Sequence, residues 1–258
     1  MQFGCRRNAA DQIFETMKYK AIFLDWDDTI GDFSRSASCA LTSMFEIHQL
    51  YRYTDYDSFV AAYNEHNNLL WEQYGRDEVT KDELKIERFI YPLIHACGME
   101  DNSEMRVLAR RMCEDFLRMT NHFATLIPDA DKMVKTLAAC YPLTIVSNGF
   151  VESQYFKFRK SGLEPYFTHV VLSEEVGAQK PNPRIFQEAL RINGITAAEA
   201  LMIGDSYTSD VEGARAAGID QMWLRRTDTH LTEGQTATYI VNSYRQITDI
   251  LADGKWVA

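Results

Sequence analysis

Five residues, Asp25-Trp26-Asp27-Asp28-Thr29, follow the apolar run Ala21-Ile22-Phe23-Leu24. Carboxylates crowded at the end of a predicted buried strand repel one another unless a cation or a proton relieves them. In an open α/β sheet the carboxyl ends of strands are where ligands bind. The pattern points to a metal site with one carboxylate left free to attack or to move protons.

Three more segments carry chemistry: Ser147-Asn148-Gly149, Lys180-Pro181, and Gly204-Asp205-Ser206 with Asp210. Each alone has an ordinary explanation. Ser-Asn-Gly is good turn chemistry, Lys-Pro is a common surface dipeptide, and Gly-Asp-Ser with Asp210 could be a helix cap. Coincidence explains the four together poorly, because each follows a predicted strand or sits in a loop.

These segments need a frame. Strands are predicted at Leu143 to Ser147, His169 to Leu172, Ala200 to Gly204, Gln221 to Leu224 and Tyr239 to Val241. Helical patterns lie between them, near 129–140, 151–161, 183–193, 208–217 and 244–252, with Pro128, Asp129 and Asp131 reading as a helix start. Regular alternation predicts an α/β fold, a parallel sheet covered by helices on both faces. Short apolar runs such as Ile145-Val146 and Val170-Val171-Leu172 fit strands buried on both sides.

The first half breaks this rhythm. A crossover between parallel strands needs only about a dozen residues, yet the stretch from 32 to 124 is far longer and reads as helical. Leu41, Met44 and Phe45 share a face, as do Phe59, Tyr63, Leu70, Trp71 and Tyr74, and again Leu108, Met112, Phe116 and Met119. Thr80-Lys81-Asp82-Glu83 fits a capping box. The expected organisation is an N-terminal extension (1–17), a discontinuous α/β core (18–31 and 125–258) and an inserted helical domain (32–124). Its aromatic and methionine residues are expected to be bundle core.

The chain has 258 residues, 46% hydrophobic and 25% charged, which suits one or two globular domains. A net charge of -10 leaves no basic footprint for nucleic acid or an anionic membrane, so any anion site must carry its own cations. No apolar run approaches membrane-spanning length. Five cysteines without a C-x-x-C pair read as buried reduced thiols of a cytoplasmic protein. Arg6 and Arg7 are not followed by an apolar stretch, so a signal peptide is not expected. Met17-Lys18-Tyr19-Lys20, directly before the first strand, resembles a natural start.

Taken together, residues 19–258 resemble the haloacid dehalogenase superfamily of phosphohydrolases, whose pattern is Asp-x-Asp-x-Thr, a Ser or Thr after the second strand, a Lys, and Gly-Asp-x-x-x-x-Asp. The flanks Gly177-Ala178-Gln179-Lys180-Pro181-Asn182-Pro183 and Asp210-Val211-Glu212-Gly213-Ala214-Arg215 also match, and the insert resembles a C1-type helical cap. The resemblance implies a Rossmann-like core and Mg²⁺ held by Asp25, the backbone carbonyl of Asp27, and Asp205. It implies Asp25 as nucleophile, Asp27 as general acid and base, and Lys180 as neutralising cation. Asp210 would orient Lys180 or support the metal from behind. Ser147 and the N–H of Asn148 would hold phosphate oxygens, and Thr29 would steady the turn and help bind substrate.

The second aspartate separates reaction classes, since a departing halide needs no proton and an alkoxide does. Asp27 therefore favours phosphoryl chemistry over a 2-haloacid dehalogenase, and the intact acidic set disfavours a non-catalytic binding protein. Asp28 stands where glycine is frequent in the superfamily, and Asn182 where aspartate is common. The stretch from Leu70 to Phe89 resembles the 5′-nucleotidase-like subgroup. The expected partner is thus a small phosphorylated metabolite, such as a nucleoside 5′-monophosphate. The alternative is a sugar phosphate, handled by a phosphatase or a phosphomutase, with Arg35, Arg76, Lys81 and Arg88 as candidate contacts. In this superfamily the cap closes over the site and reads the leaving group.

Overall fold

The computed structural model describes residues 17–226 and 234–252. The proposed N-terminal extension, apart from Met17, lies outside the described residues.

Six parallel strands form one sheet: β1 (Ala21–Leu24), β2 (Leu143–Ser147), β3 (His169–Leu172), β4 (Ala200–Gly204), β5 (Asp220–Leu224) and β6 (Tyr239–Val241), in the order β3-β2-β1-β4-β5-β6. The apolar runs become strands because alternate side chains enter two cores. Ile22, Leu24, Leu143, Ile145, Leu201 and Ile203 face one, and Ala21, Phe23, Val146, Val171, Ala200 and Met202 the other. The predicted α/β class and five of the six strand ranges agree with the structure residue for residue; β5 starts one residue early, at Asp220.

Helices α1 (Phe33–Ile47), α2 (Tyr56–Gly75), α3 (Lys81–His95) and α4 (Ser103–Phe123) make up one compact unit, Asp32–Thr125. The described residues up to Gly31 and from Leu126 form the other. In the helical unit Leu41, Met44, Phe45, Phe59, Tyr63, Met112, Phe116 and Met119 are buried in one cluster. The capping box is present: Glu83 N–H donates to Thr80 Oγ1 at 3.2 Å, and Thr80 N–H donates to Glu83 Oε2 at 2.8 Å.

The sheet unit adds α5 (Ala130–Ala138), α6 (Val151–Ser161), α7 (Ser173–Val176), α8 (Pro183–Asn193), α9 (Gly213–Ala216) and α10 (Tyr244–Ala252). Asp129 does start α5, but not by capping. Its backbone is left-handed, with φ 68°, and its carboxylate pairs with Lys132 Nζ at 2.6 Å. The helix predicted at 208–217 is a wider turn, Tyr207–Glu212, with α-helical winding resuming in α9. Here Val211 N–H reaches back five residues to Ser206 C=O at 3.3 Å, while Asp210 takes the Ser206 N–H on its side chain at 3.0 Å. Such widened turns collect at functional sites. Among the described residues no helix is long and apolar enough to cross a membrane.

Candidate active site

The chain runs from β1 outward through β2 to β3, then returns to place β4 beside β1. That reversal puts a topological switch point at the carboxyl ends of β1 and β4, the position where open α/β sheets bind ligands. Asp25 follows β1 and Asp205 follows β4, and the Asp25 N–H extends the ladder by donating to Ile203 C=O at 3.0 Å. The fold therefore brings together two aspartates 180 residues apart in sequence.

Lys180 joins them. Its Nζ donates to Asp25 Oδ1 at 2.6 Å and to Asp210 Oδ1 at 2.7 Å, and all three side chains are buried. Asn148 holds Lys180 in place: its Nδ2 donates to Lys180 C=O at 2.9 Å, and its Oδ1 accepts the Lys180 N–H at 2.7 Å. Asp210 is aligned at its other oxygen by the Ser206 N–H. Gly204 keeps the space for it, because a Cβ there would lie 2.2 Å from Asp210 Oδ2.

Burial pushes the Asp25 carboxyl well above its usual 3.8; Lys180 works against this, and Asp210 and Asp205 add to it. Burial likewise raises Asp205 to about 7, helped by Asp210 and Asp28. Burial alone would lower the Lys180 ammonium, but Asp210 and Asp25 outweigh it, so its pKa is raised. Asp25, Asp205 and Asp210 each offer an oxygen within 4.8 Å of the others. Once all three carboxylates are ionised, the one ammonium leaves two negative charges uncompensated. A divalent cation with a preference for oxygen ligands fits that charge and that donor set, as Mg²⁺ does.

Thr29 is fully buried. Its hydroxyl donates to Asp205 Oδ1 and accepts the Asp205 N–H, both at 3.1 Å, and so orients Asp205. Ser147 is also buried, its Oγ accepting the Gly149 N–H at 3.2 Å. Asp28 has φ 61°. Its left-handed backbone accounts for the glycine frequent at this position, and aspartate is among the few other residues that tolerate it. The Asp28 carbonyl accepts from Arg226 Nη2 at 2.7 Å.

Asp27 stands apart from the buried acidic group. Gln154 Nε2 donates to its Oδ2 at 2.6 Å and Lys157 Nζ to its Oδ1 at 2.7 Å. Sequence reasoning missed both partners. It also missed Trp223, whose Nε1 donates to Asp205 C=O at 2.8 Å, and Tyr244, whose hydroxyl donates to Thr29 C=O at 2.7 Å.

A haloacid dehalogenase-like hydrolase profile matches residues 19–218. The chain belongs to that family. It is 31% identical to the pyrimidine 5′-nucleotidase PynA of Streptococcus pneumoniae over 91% of this chain and 96% of PynA. It is 29% identical to the pyrimidine 5′-nucleotidase YjjG of Escherichia coli over 91% of this chain and 99% of YjjG. Among solved structures, the magnesium-bound HAD-hydrolase YfnB of Bacillus subtilis aligns with a TM-score of 0.77 at 30% identity, covering 91% of this chain and 99% of YfnB.

Proposed function

We propose that this protein is a Mg²⁺-dependent phosphomonoester hydrolase that works through an aspartyl phosphate on Asp25, with nucleoside 5′-monophosphates as its substrates. The observation that carries this reading is the buried Asp25–Lys180–Asp210 array beside Asp205, with a second carboxylate, Asp27, held separately two residues on. A nucleophile and a group that moves a proton need different surroundings, and these two have them: Asp25 is buried against Lys180, while Asp27 meets Gln154 and Lys157.

Asp25 attacks phosphorus while the bond to the leaving oxygen breaks, its electron pair staying on that oxygen. Asp27 gives this oxygen its proton. Water then attacks the aspartyl phosphate, Asp27 takes the water's proton, and phosphate leaves with Asp25 restored. Lys180 balances the charge of Asp25 as an anionic phosphate approaches. Asp25, Asp205 and the Asp27 carbonyl would hold Mg²⁺, which when bound offsets charge between nucleophile and phosphate. Asp210 positions Lys180, and Thr29 positions Asp205. Ser147 and the Asn148 N–H would line the phosphate position near the start of α6. Of the cysteines expected to be buried thiols, Cys97 and Cys113 are buried, whereas Cys39 is half-buried and Cys140 exposed; such free thiols fit the cytoplasmic setting of this reading.

The test is a panel of phosphomonoesters with Mg²⁺ or with chelator, run on the native protein and on Asp25→Asn. The panel holds pyrimidine and purine 5′-monophosphates, glyceraldehyde 3-phosphate and hexose phosphates. The expected result is turnover that chelator abolishes, a preference of about tenfold or more in kcat/KM for nucleoside monophosphates (about 1.4 kcal/mol), and a folded but inactive Asp25→Asn. Equal rates across the panel would defeat the substrate assignment, and activity in Asp25→Asn would defeat covalent catalysis.

A further inference from the structure

Helix α6 presents two side chains, three positions apart and so on one face, to one carboxylate. Gln154 is fully buried and Lys157 is 7% exposed, and between them they occupy both oxygens of Asp27. The sequence makes room for this. A Cβ on Gly149 would lie 1.8 Å from Gln154 Nε2 and 2.6 Å from its amide carbon, so the glycine beside Asn148 is what lets the Gln154 amide pass. Burying a lysine to pair it with a carboxylate seldom gains stability over apolar packing. The arrangement therefore calls for a reason other than stability.

We infer that Gln154 and Lys157 are positioning residues for Asp27: two donors, one per oxygen, fix the plane of its carboxyl group so that it meets the leaving oxygen. The inference rests on the reading of Asp27 as general acid and base. An ionised carboxylate has about four acceptor sites, so two donors still leave a lone pair on each oxygen for the proton in transit. In the first half-reaction Asp27 passes its proton to the leaving oxygen as the phosphorus–oxygen bond breaks. The carboxylate that results is the form these donors bind, and they hold it aligned for the water that follows. Neither residue touches the substrate in this scheme; both act through Asp27.

The experiment compares two phosphate esters with Mg²⁺ present. One is a nucleoside 5′-monophosphate, whose alkoxide needs a proton. The other is 2,4-dinitrophenyl phosphate, whose phenolate needs none. For Lys157→Met and Gln154→Met, kcat/KM on the nucleotide is expected to fall by about 10² or more, the order general acid–base catalysis contributes. On the activated ester the fall should be less than about tenfold. In an Asp27→Asn background Lys157→Met should cost nothing further on the nucleotide, because the residue it acts through is gone. Equal losses on both esters, or full additivity with Asp27→Asn, overturn the inference and reduce the contact to a structural one. If Lys157→Met does not fold, Gln154→Met reads the same ratio. Failure of the phosphatase reading is separable, since the native protein would then hydrolyse neither ester.

Discussion

Asn148 and Lys180 grip each other through two hydrogen bonds, side-chain amide to backbone carbonyl and backbone N–H to side-chain oxygen, at 2.9 and 2.7 Å. A side chain just beyond β2 thus fixes the main chain of the residue whose ammonium lies between Asp25 and Asp210. A flexible lysine needs such an anchor if its charge is to stay at one point, since four rotatable bonds otherwise spread it over several ångströms.

Removing the anchor tests its worth. Asn148→Ala breaks both bonds and leaves a part-buried N–H and C=O without these partners, which predicts a loss of about 1–3 kcal/mol in stability by urea titration. It also predicts a lower kcat as Lys180 loosens from Asp25. Unchanged stability together with unchanged turnover would show that Lys180 is held well enough by its two carboxylates alone.

The acidic cluster predicts how metal and pH interact. Asp205 titrates near 7 in the folded protein against a usual 3.8. Between those values the native state binds more protons than the unfolded chain, so the metal-free protein loses stability as pH rises through that window and loses no more from this group above it. Mg²⁺ must displace those protons to bind. Its stabilisation, read as the rise in Tm on adding excess Mg²⁺, should therefore be small at pH 5 and large at pH 8. A rise of the same size at both would mean that the ion does not bind these carboxylates.

Arg88 in α3 is 3% exposed, and its Nε and Nη2 have no hydrogen-bond partner among the described residues. The Phe116 ring lies 4.7 Å from the guanidinium carbon and the Phe89 ring 5.3 Å from it, and Tyr63 and Cys113 also pair with the guanidinium. Cation–π contact is worth about 2 kcal/mol when desolvated, less than the several kcal/mol that burying an ion costs. Arg88→Met is therefore expected to leave the protein as stable as before, or more stable by up to about 2 kcal/mol, in thermal unfolding. A clear loss of stability would show that the pairing with Tyr63 and Cys113 offsets this cost. Increased stability with impaired nucleotide turnover would mark Arg88 as a residue kept for substrate.

Most of the sheet was legible because each strand is a short apolar run bounded by turn residues, as in Leu143-Thr144-Ile145-Val146-Ser147. The acidic residues were legible because each follows such a run directly. Their supports were not. Nothing local marks Trp223 or Tyr244 as a donor to a backbone carbonyl, since those carbonyls lie 18 and 215 positions away in sequence. Helix α6 misleads in a further way. Its inward positions include Gln154 and Lys157 beside Phe158, and a polar residue on a buried face carries meaning only once its partner is known. Thr29 was placed correctly in the acidic turn, but its hydroxyl serves Asp205, a pairing that the adjacency of β1 and β4 creates.

The segment Asp32–Thr125 leaves and rejoins the chain at almost one point. Asp32 N–H donates to Thr125 C=O at 2.9 Å, and next to it Gly31 pairs with Leu126 as antiparallel neighbours. A two-residue hairpin turn could span that junction. The helical segment is therefore a cassette: ninety-odd residues hang between two hydrogen-bonded ends, and a change in their length would reroute no strand of the sheet.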